Sequence, residues 1–150
     1  MEKYEYIDLG LPSGTLWATM NVGAEGIADY GGYFSHEEAL NFGVTLPTKE
    51  QFEELVENTT YKWAENYNNC GVNGDLFIGK NGKELFFPAS GYYSFTGGHL
   101  RGSFGYYWSS SFLEHDDSYA YFLSFTIESI PCIYVNSCSY RFAVRGVINC

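Results

Sequence analysis

The sequence predicts an α+β fold with one clear helix and many short, mostly antiparallel strands. Residues 48–58 have the apolar spacing and the capping residues of a helix. Most of the remaining chain alternates between short stretches of β-forming residues and turns rich in glycine and asparagine. With 150 residues and an apolar content of 45%, the chain is long enough to bury a core. We therefore expect residues 1–150 to form one domain.

The first predicted elements are two short strands followed by a loop. Residues 4–9 alternate between polar and apolar side chains, and residues 16–20 carry Trp17. A turn is predicted between them at 10–14, where glycine, proline and serine cluster. Residues 22–34 are rich in glycine and alanine, which favours a loop.

Two capping patterns predict helices. Ser35 and Glu38 have the spacing of a capping box, which predicts a short helix near 35–40. Thr48 and Gln51 have the same spacing at the start of the clear helix. Its apolar face consists of Phe52, Leu55 and Val56. We interpret Asn58-Thr-Thr60 as the end of this helix.

The remaining elements are predicted to be strands. Asn81-Gly82 is a hairpin signal between strands at 75–78 and 84–87, and Pro88 is expected to end the second strand. Further strands are predicted at 105–111, 119–126, 132–135 and 140–147.

Charge and composition narrow the classes of partner. The net charge is −10, and the eight basic residues are scattered. Because phosphate backbones and anionic membranes need clustered Lys and Arg, we expect neither as a partner. No stretch approaches the roughly 18 apolar residues of a membrane span. The first residues lack the pattern of a signal peptide.

Alternation in the C-terminal third separates two sets of side chains. Because side chains alternate across a sheet, Tyr119, Tyr121, Leu123 and Phe125 share one face, which we assign to the core together with Tyr106 and Trp108. Ala120, Phe122, Ser124 and Thr126 share the other face. In the next stretch of chain, every second residue is expected to share one face. These residues mix aliphatic, thiol, phenol and amide groups, and a face built only for packing would be more uniform. They are Ile130, Cys132, Tyr134, Asn136, Cys138 and Tyr140. Aromatic and small polar side chains together are typical of binding surfaces.

Five blocks in the chain resemble a known family. They are YIDLGLPSGTLWATMNVGA (6–24), LPTKEQFEEL (46–55), FFPASGYY (86–93), GYYWSSS (105–111) and RFAVRGV (141–147). Together they resemble the Fibrobacter succinogenes major paralogous domain, a family common in gut Bacteroidetes. The helix block and the closing strand also resemble the formylglycine-generating-enzyme type of C-type-lectin fold. The resemblance implies a C-type-lectin-like fold and display outside the cell, on a cell surface or on a phage particle.

Several ligand-binding proteins of this fold are diversified by retroelements, through mutagenesis of adenines in AAY codons. The resulting NNY codons encode a restricted set of residues, and the candidate ligand-binding residues here all fall within it. They are Phe112, His115, Asp116, Asp117, Phe122, Ser124, Ile130, Cys132, Tyr134, Asn136, Cys138 and Tyr140. The resemblance thus implies a target protein of a diversity-generating retroelement, and an undiversified binding face remains the alternative.

Catalytic motifs are weak in this sequence. Ser109 to Ser111 lack a G-x-S-x-G elbow, and the acidic run at 114–117 lacks the spacing of an EF-hand, which favours a solvated loop. The four cysteines are Cys70, Cys132, Cys138 and Cys150, and sequence alone does not choose between bridges and free thiols. A disulfide between Cys132 and Cys138 therefore remains one of the alternatives.

We therefore expect a non-catalytic ligand-binding module without a cofactor or a bound metal. Its partner is expected to be a protein or a surface glycan, and its oligomeric state is open. One alternative is a structural or adhesion subunit of a cell-surface or phage-tail assembly. A remote alternative is a copper-dependent thiol oxidase similar to formylglycine-generating enzyme, with Cys132 and Cys138 as ligands, since thiolates suit Cu(I).

Overall fold

The computed structural model describes residues 5–149, which form two helices and a series of short strands. The helices are α1 (His36–Leu40) and α2 (Lys49–Glu57). The strands are β1 (Tyr6–Asp8), β2 (Leu16–Ala18), β3 (Thr59–Ala64), β4 (Gly74–Gly79), β5 (Glu84–Pro88), β6 (Tyr92–Ser94), β7 (Gly97–His99), β8 (Phe104–Leu113), β9 (Asp116–Thr126), β10 (Ser129–Ser137) and β11 (Val147–Ile148).

The strands form small antiparallel sheets. Three sheets have three strands each, in the orders β1-β2-β11, β3-β4-β5 and β10-β9-β8, and β6 pairs with β7 alone. Every pairing between these named strands is antiparallel. The predicted pattern of many short antiparallel strands with few helices is confirmed. Tyr4, where the first strand was predicted to begin, lies outside the described residues.

Both predicted helices begin with the capping boxes that predicted them. In α1, Ser35 Oγ accepts a hydrogen bond from the Glu38 N–H at 3.3 Å, and Glu38 Oε1 accepts one from the Ser35 N–H at 3.0 Å. In α2, Thr48 and Gln51 form the same two bonds at 3.1 and 2.8 Å. Each box satisfies N–H groups that a first helical turn leaves without partners.

The strand β3 follows α2 immediately and was not predicted. We interpreted residues 58–60 as the end of the helix, but Thr59 already pairs with Gly79 of β4. The Thr59 hydroxyl also donates to the Leu55 carbonyl of α2 at 2.6 Å. One threonine thus ends the helix and begins the strand, so no separate turn signal marks the boundary.

The sheet of β8, β9 and β10 has a hydrophobic cluster on each of its two faces. On one face, Leu123 belongs to a cluster with Phe52 and Leu55 of α2. On the other, Phe122 belongs to a second cluster with Phe142. When both faces of a strand are covered, apolar residues occur at successive positions, and alternation no longer identifies an exposed face.

Two residues predicted to face a ligand are buried for this reason. Phe122 is 4% exposed and Ser124 is 8% exposed, so the prediction that they face a ligand is wrong. The Phe122 ring lies 4.8 Å from the Phe142 ring, centroid to centroid, and is covered by it. Conversely, Tyr119 was assigned to the core face and is 40% exposed, since it lies near the open end of the β9–β10 pair.

The prediction of a continuous strand at 140–147 is wrong. Phe142 forms an isolated bridge with Phe34, and Ala143 forms one with Tyr107 of β8. Successive residues thus pair with different elements, and no ladder develops before β11. Residues 140–147 instead cover the face of the β8–β9–β10 sheet on which Phe122 lies.

The segment before β11 carries a fully buried cation, Arg145. Its guanidinium donates to Asn21 Oδ1 at 2.9 Å, to the Ala18 carbonyl at 3.1 Å and to the Phe86 carbonyl at 2.8 Å. It also lies 4.3 Å from the centroid of the Phe87 ring. Burial lowers the pKa of Arg145 to about 10, so the group stays charged at neutral pH. The cation ties β2 and β5 to the C-terminal segment.

Cys70, Cys132 and Cys138 are free thiols, and Cys150 lies outside the described residues. Cys132 lies within β10, where it pairs with Ser124 of β9, whereas Cys138 follows the end of β10. Each extended residue between them adds about 3.3 Å, and a disulfide tolerates at most about 7 Å between Cα atoms. A Cys132–Cys138 bridge is therefore excluded, and the two thiols cannot hold one copper ion together.

Candidate functional site

The hairpin of β6 and β7 exposes a large apolar side chain at its tip. Phe95 is 102% exposed, more than any other large hydrophobic residue described. Around it, Ser94 Oγ lies 2.8 Å from Thr96 Oγ1, which lies 2.9 Å from His99 Nε2. These polar bonds hold the tip in place. A fully exposed phenylalanine forgoes about 1.5–3 kcal/mol of burial, so Phe95 contributes little to folding.

Two glycines allow the hairpin to close. Gly97 has a φ of +116°, which side chains rarely adopt. A Cβ on Gly98 would lie 2.9 Å from the ring of Tyr93 on the facing strand. The hairpin was not predicted from sequence.

The base of the hairpin packs onto a cluster of aromatic rings. The Tyr92 ring meets the Tyr106 ring edge-on at 5.0 Å and the Tyr140 ring edge-on at 5.6 Å. The His99 ring lies 5.0 Å from the Tyr92 ring, centroid to centroid, and the buried Phe142 ring lies 6.2 Å from it. Tyr92 therefore joins the hairpin to the large sheet.

A groove of ≈ 480 Å³ lies between the hairpin and the turn after β10. We call it the aromatic groove. It is lined by Tyr92, Ser94, Phe95, Thr96, His99, Ser137, Ser139 and Tyr140. Ser137 Oγ and Ser139 Oγ lie 2.9 Å apart on the wall opposite the hairpin. Both walls thus present hydroxyl groups above an aromatic floor.

A second pocket of ≈ 330 Å³ adjoins the aromatic groove. We call it the Arg101 pocket. It is lined by Ser90, Tyr92, Tyr93, Gly98, His99, Leu100 and Arg101. Tyr92 and His99 line both spaces, so the two pockets are neighbours on one surface. Both volumes fall in the range of about 300–1,000 Å³ that is common for small-molecule sites.

The aromatic groove combines the two kinds of group that a non-catalytic binding site needs. Tyrosine and phenylalanine rings supply contact area at a low cost in side-chain entropy. Serine, threonine and histidine side chains both donate and accept hydrogen bonds, which fixes the orientation of a polar ligand.

Two residues of the predicted ligand-binding set lie at or beside this groove, and three others lie along β10. Tyr140 lines the groove, and Asn136 lines a small adjoining cleft of ≈ 100 Å³. On β10, Ile130 is 60% exposed and Tyr134 is 55% exposed. Cys132 is half-buried on the same strand.

The other predicted residues lie around the hairpin of β8 and β9. Phe112, His115, Asp116 and Asp117 are exposed there, and Phe112 packs edge-on against His36 at 4.8 Å. The half-buried Cys138 thiol approaches the Asp117 carbonyl at 3.7 Å. None of the five lines the aromatic groove.

Sequence reasoning missed most of the residues that line the groove. Those from the hairpin are Tyr92, Ser94, Phe95, Thr96 and His99, and the others are Ser137 at the end of β10 and Ser139 after it. A signal was present, because residues 91–98 mix aromatic, hydroxyl and glycine residues as binding loops do. Residues 91–93 lie in the block FFPASGYY, on which the family resemblance rests, and residues 94–98 lie outside every quoted block.

Ser109, one of the serines without a catalytic elbow, and the nearby His36 have structural partners. Ser109 is buried, and its hydroxyl donates to the Tyr121 carbonyl at 2.7 Å. His36 Nε2 lies 2.8 Å from the Ser109 carbonyl, and burial lowers the pKa of His36. Within residues 5–149, no three His, Cys, Asp or Glu side chains come together as metal ligands.

The fold and the groove define a small, mostly β protein with an aromatic cleft between a hairpin and a three-stranded sheet. The chain belongs to the family described as Domain of unknown function (DUF8237), which matches residues 49–147. That match includes every residue that lines the aromatic groove. No curated protein and no solved structure matches the chain. Neither helix in the described part of the chain is long and apolar enough to cross a membrane.

Proposed function

We propose that the chain is a non-catalytic ligand-binding module with a C-type-lectin-like fold, which holds its ligand in the aromatic groove. The observation that carries this proposal is Phe95, a fully exposed ring beside a groove with a tyrosine floor. Exposed aromatic residues next to a concave surface commonly become buried when a partner binds. The ligand is a protein or a surface glycan, and the module is displayed outside the cell or on a phage particle.

The test compares two exposed phenylalanines in different places. Phe95→Ala removes the ring from the groove, and Phe112→Ala removes a ring from the β8–β9 hairpin. Each variant and the parent protein are assayed on a glycan array and by pull-down from a surface-protein extract. Binding that is lost with Phe95→Ala and kept with Phe112→Ala supports the groove. The reverse result moves the site to the β8–β9 hairpin and contradicts the proposal.

We further propose that the binding surface is diversified by a retroelement. Support comes from NNY-type residues: Tyr134 is exposed on β10, and the half-buried Asn136 and Tyr140 lie beside and in the groove. The buried Phe122 and Ser124 would be poor positions to vary. Sequencing the locus provides the test. A reverse-transcriptase gene with a near-copy of codons 105–147 that differs only at adenines supports diversification. Its absence from the genome leaves an undiversified binding face.

A second candidate function, a structural or adhesion subunit, is favoured by the free edge of β10. This strand is the edge of its sheet, and its sequence SIPCIYVNS contains no charged residue. Such edges pair readily with another strand. Tyr134→Lys adds a blocking charge there. A self-assembled parent protein that Tyr134→Lys converts to monomer, in analytical ultracentrifugation, favours the structural role. A monomeric parent over a wide concentration range opposes self-assembly.

A further inference from the structure

The three arginines of the chain, Arg101, Arg141 and Arg145, have different partners. Arg145 is buried among neutral acceptors. Arg141 Nη1 lies 2.6 Å from Glu38 Oε1 in an ion pair. Arg101 has no carboxylate within 4.0 Å among residues 5–149. Among the three arginines, Arg101 is thus the one whose charge is neither buried nor paired with a carboxylate of the described residues.

Tyrosines hold Arg101 in one orientation. Its Nε and Nη2 donate to the Tyr33 hydroxyl at 3.2 and 3.0 Å. That hydroxyl donates in turn to the Ser90 carbonyl at 2.6 Å. The guanidinium also lies 4.8 Å from the centroid of the Tyr30 ring. Fixing the side chain in advance reduces the entropy that a ligand would otherwise have to offset.

The guanidinium keeps donors for a ligand. Arginine has five N–H donors, and the Tyr33 hydroxyl accepts from only two of its nitrogens. The remaining N–H groups form part of a planar fork that matches the two oxygens of a carboxylate. Arg101 lines its pocket, which places its side chain beside an acid bound there.

The rest of the Arg101 pocket fits a sugar better than a peptide side chain. Its lining offers phenol, imidazole and serine groups, with Leu100 as the one large aliphatic side chain. Peptide anchors are held mainly in well-packed apolar pockets. Sugar hydroxyls instead need partners that both donate and accept, as His99 and the tyrosines can.

We propose that the Arg101 pocket is a subsite for an acidic sugar, whose carboxylate binds the Arg101 guanidinium. The aromatic groove would hold the rest of the glycan, through the shared residues Tyr92 and His99. In that respect the inference rests on the proposed function, and it narrows the ligand to glycans that contain a carboxylate-bearing sugar.

Nuclear magnetic resonance tests the subsite directly, because three arginines give three Nε–Hε signals. The probe is sodium glucuronate, with glucose and sodium acetate as matched probes that lack the carboxylate or the sugar ring. At about 10 mM, a site with a Kd of 1 mM is mostly occupied. We expect glucuronate to move the Arg101 signal and to leave those of Arg141 and Arg145 in place. Glucose and acetate should each move it less.

The variant Arg101→Lys assigns the Nε–Hε signal of Arg101, because that signal disappears in it. It also tests whether the planar pair of guanidinium donors is needed for binding. Lysine keeps the positive charge but lacks the planar pair of donors. Glucuronate affinity, followed by backbone amide signals of the pocket, should fall at least about tenfold, because a charged hydrogen bond is lost. An unchanged affinity in Arg101→Lys overturns the assignment. So does an Arg101 signal that glucuronate does not move.

Two further outcomes separate this inference from its alternatives. If acetate moves the Arg101 signal as much as glucuronate, the pocket recognises a carboxylate alone, and the assignment to a sugar is overturned in favour of an acidic peptide. Gly26→Ala should leave glucuronate binding unchanged, since Gly26 lines neither pocket and its added Cβ meets nothing within 4 Å. Failure of Phe95→Ala to affect capture of larger ligands contradicts the groove proposal and leaves the glucuronate result standing.

Discussion

Arg145 Nε donates a hydrogen bond to Asn21 Oδ1 at 2.9 Å, which joins two buried side chains 124 residues apart in sequence. The Asn21 amide nitrogen donates to the Tyr107 hydroxyl and to the Tyr30 carbonyl, both at 3.0 Å. Tyr107 donates in turn to the Pro88 carbonyl at 2.7 Å. The acceptors around the Arg145 guanidinium are neutral, so no negative charge compensates for its burial. The stability of the folded protein therefore depends on each of these hydrogen bonds.

Asn21→Ala should lower the free energy of unfolding by about 2–4 kcal/mol, because it leaves a buried charge with one acceptor fewer. Tyr107→Phe is the control, since it removes a neutral hydroxyl from the same network and should cost about 1 kcal/mol. Urea unfolding followed by circular dichroism measures both. Equal losses would contradict a special dependence of Arg145 on Asn21.

Asp75 should make stability depend on pH. It is 1% exposed in β4, and its Oδ2 has no hydrogen-bond partner in the described structure. Trp63 lies directly opposite Asp75 on β3, and its Nε1 also has no hydrogen-bond partner in the described structure. Burial raises the pKa of Asp75 from 3.8 to about 7. Between these values the folded protein holds a proton that the unfolded chain has released, so stability falls as pH rises through this window.

The free energy of unfolding should fall by a few kcal/mol across this pH window, because each unit of pKa shift corresponds to about 1.4 kcal/mol. Urea unfolding at pH 5 and at pH 8 measures it. Asp75→Asn removes the titrating group, and the difference in stability between the two pH values should shrink in that variant. Identical pH dependence in both proteins would show that Asp75 does not control it.

Gly105 is required by its cross-strand neighbour Phe125. The two residues pair in β8 and β9, and a Cβ on Gly105 would lie 2.1 Å from the Phe125 ring. Gly105→Ala should destabilise the protein by about 1–3 kcal/mol, because it overpacks the core. Gly26→Ala is the matched control: nothing lies within 4 Å of its added Cβ, and its effect should stay within about 0.5 kcal/mol. A similar melting temperature for both variants would contradict the close contact.

Phe95 and Phe122 should separate binding from folding. Phe95→Ala should change stability by no more than about 0.5 kcal/mol, since a surface ring with no packing is removed. Phe122→Ala should cost about 3–5 kcal/mol, because it leaves a cavity beneath Phe142. Chemical unfolding of both variants checks this difference. Strong destabilisation by Phe95→Ala would mean that this ring serves the fold.

Local sequence signals were sufficient for the elements whose cause is local. Ser35 and Thr48 mark helix starts because their side chains bond to N–H groups three residues ahead. Asn81-Gly82 predicted the turn between β4 and β5 for a similar reason, since Gly82 has a φ of +85°. The strands β8 to β10 were also predicted, although with shorter bounds.

Burial and the location of the groove depend on contacts between distant parts of the chain. Phe122 and Tyr134 have the same parity in neighbouring strands, yet Phe142 covers the first, while the second is 55% exposed. Alternation assigns side chains to a face, and only packing determines what covers that face. The aromatic groove likewise forms where the β6–β7 hairpin folds back towards the turn after β10, a long-range contact that no local pattern encodes.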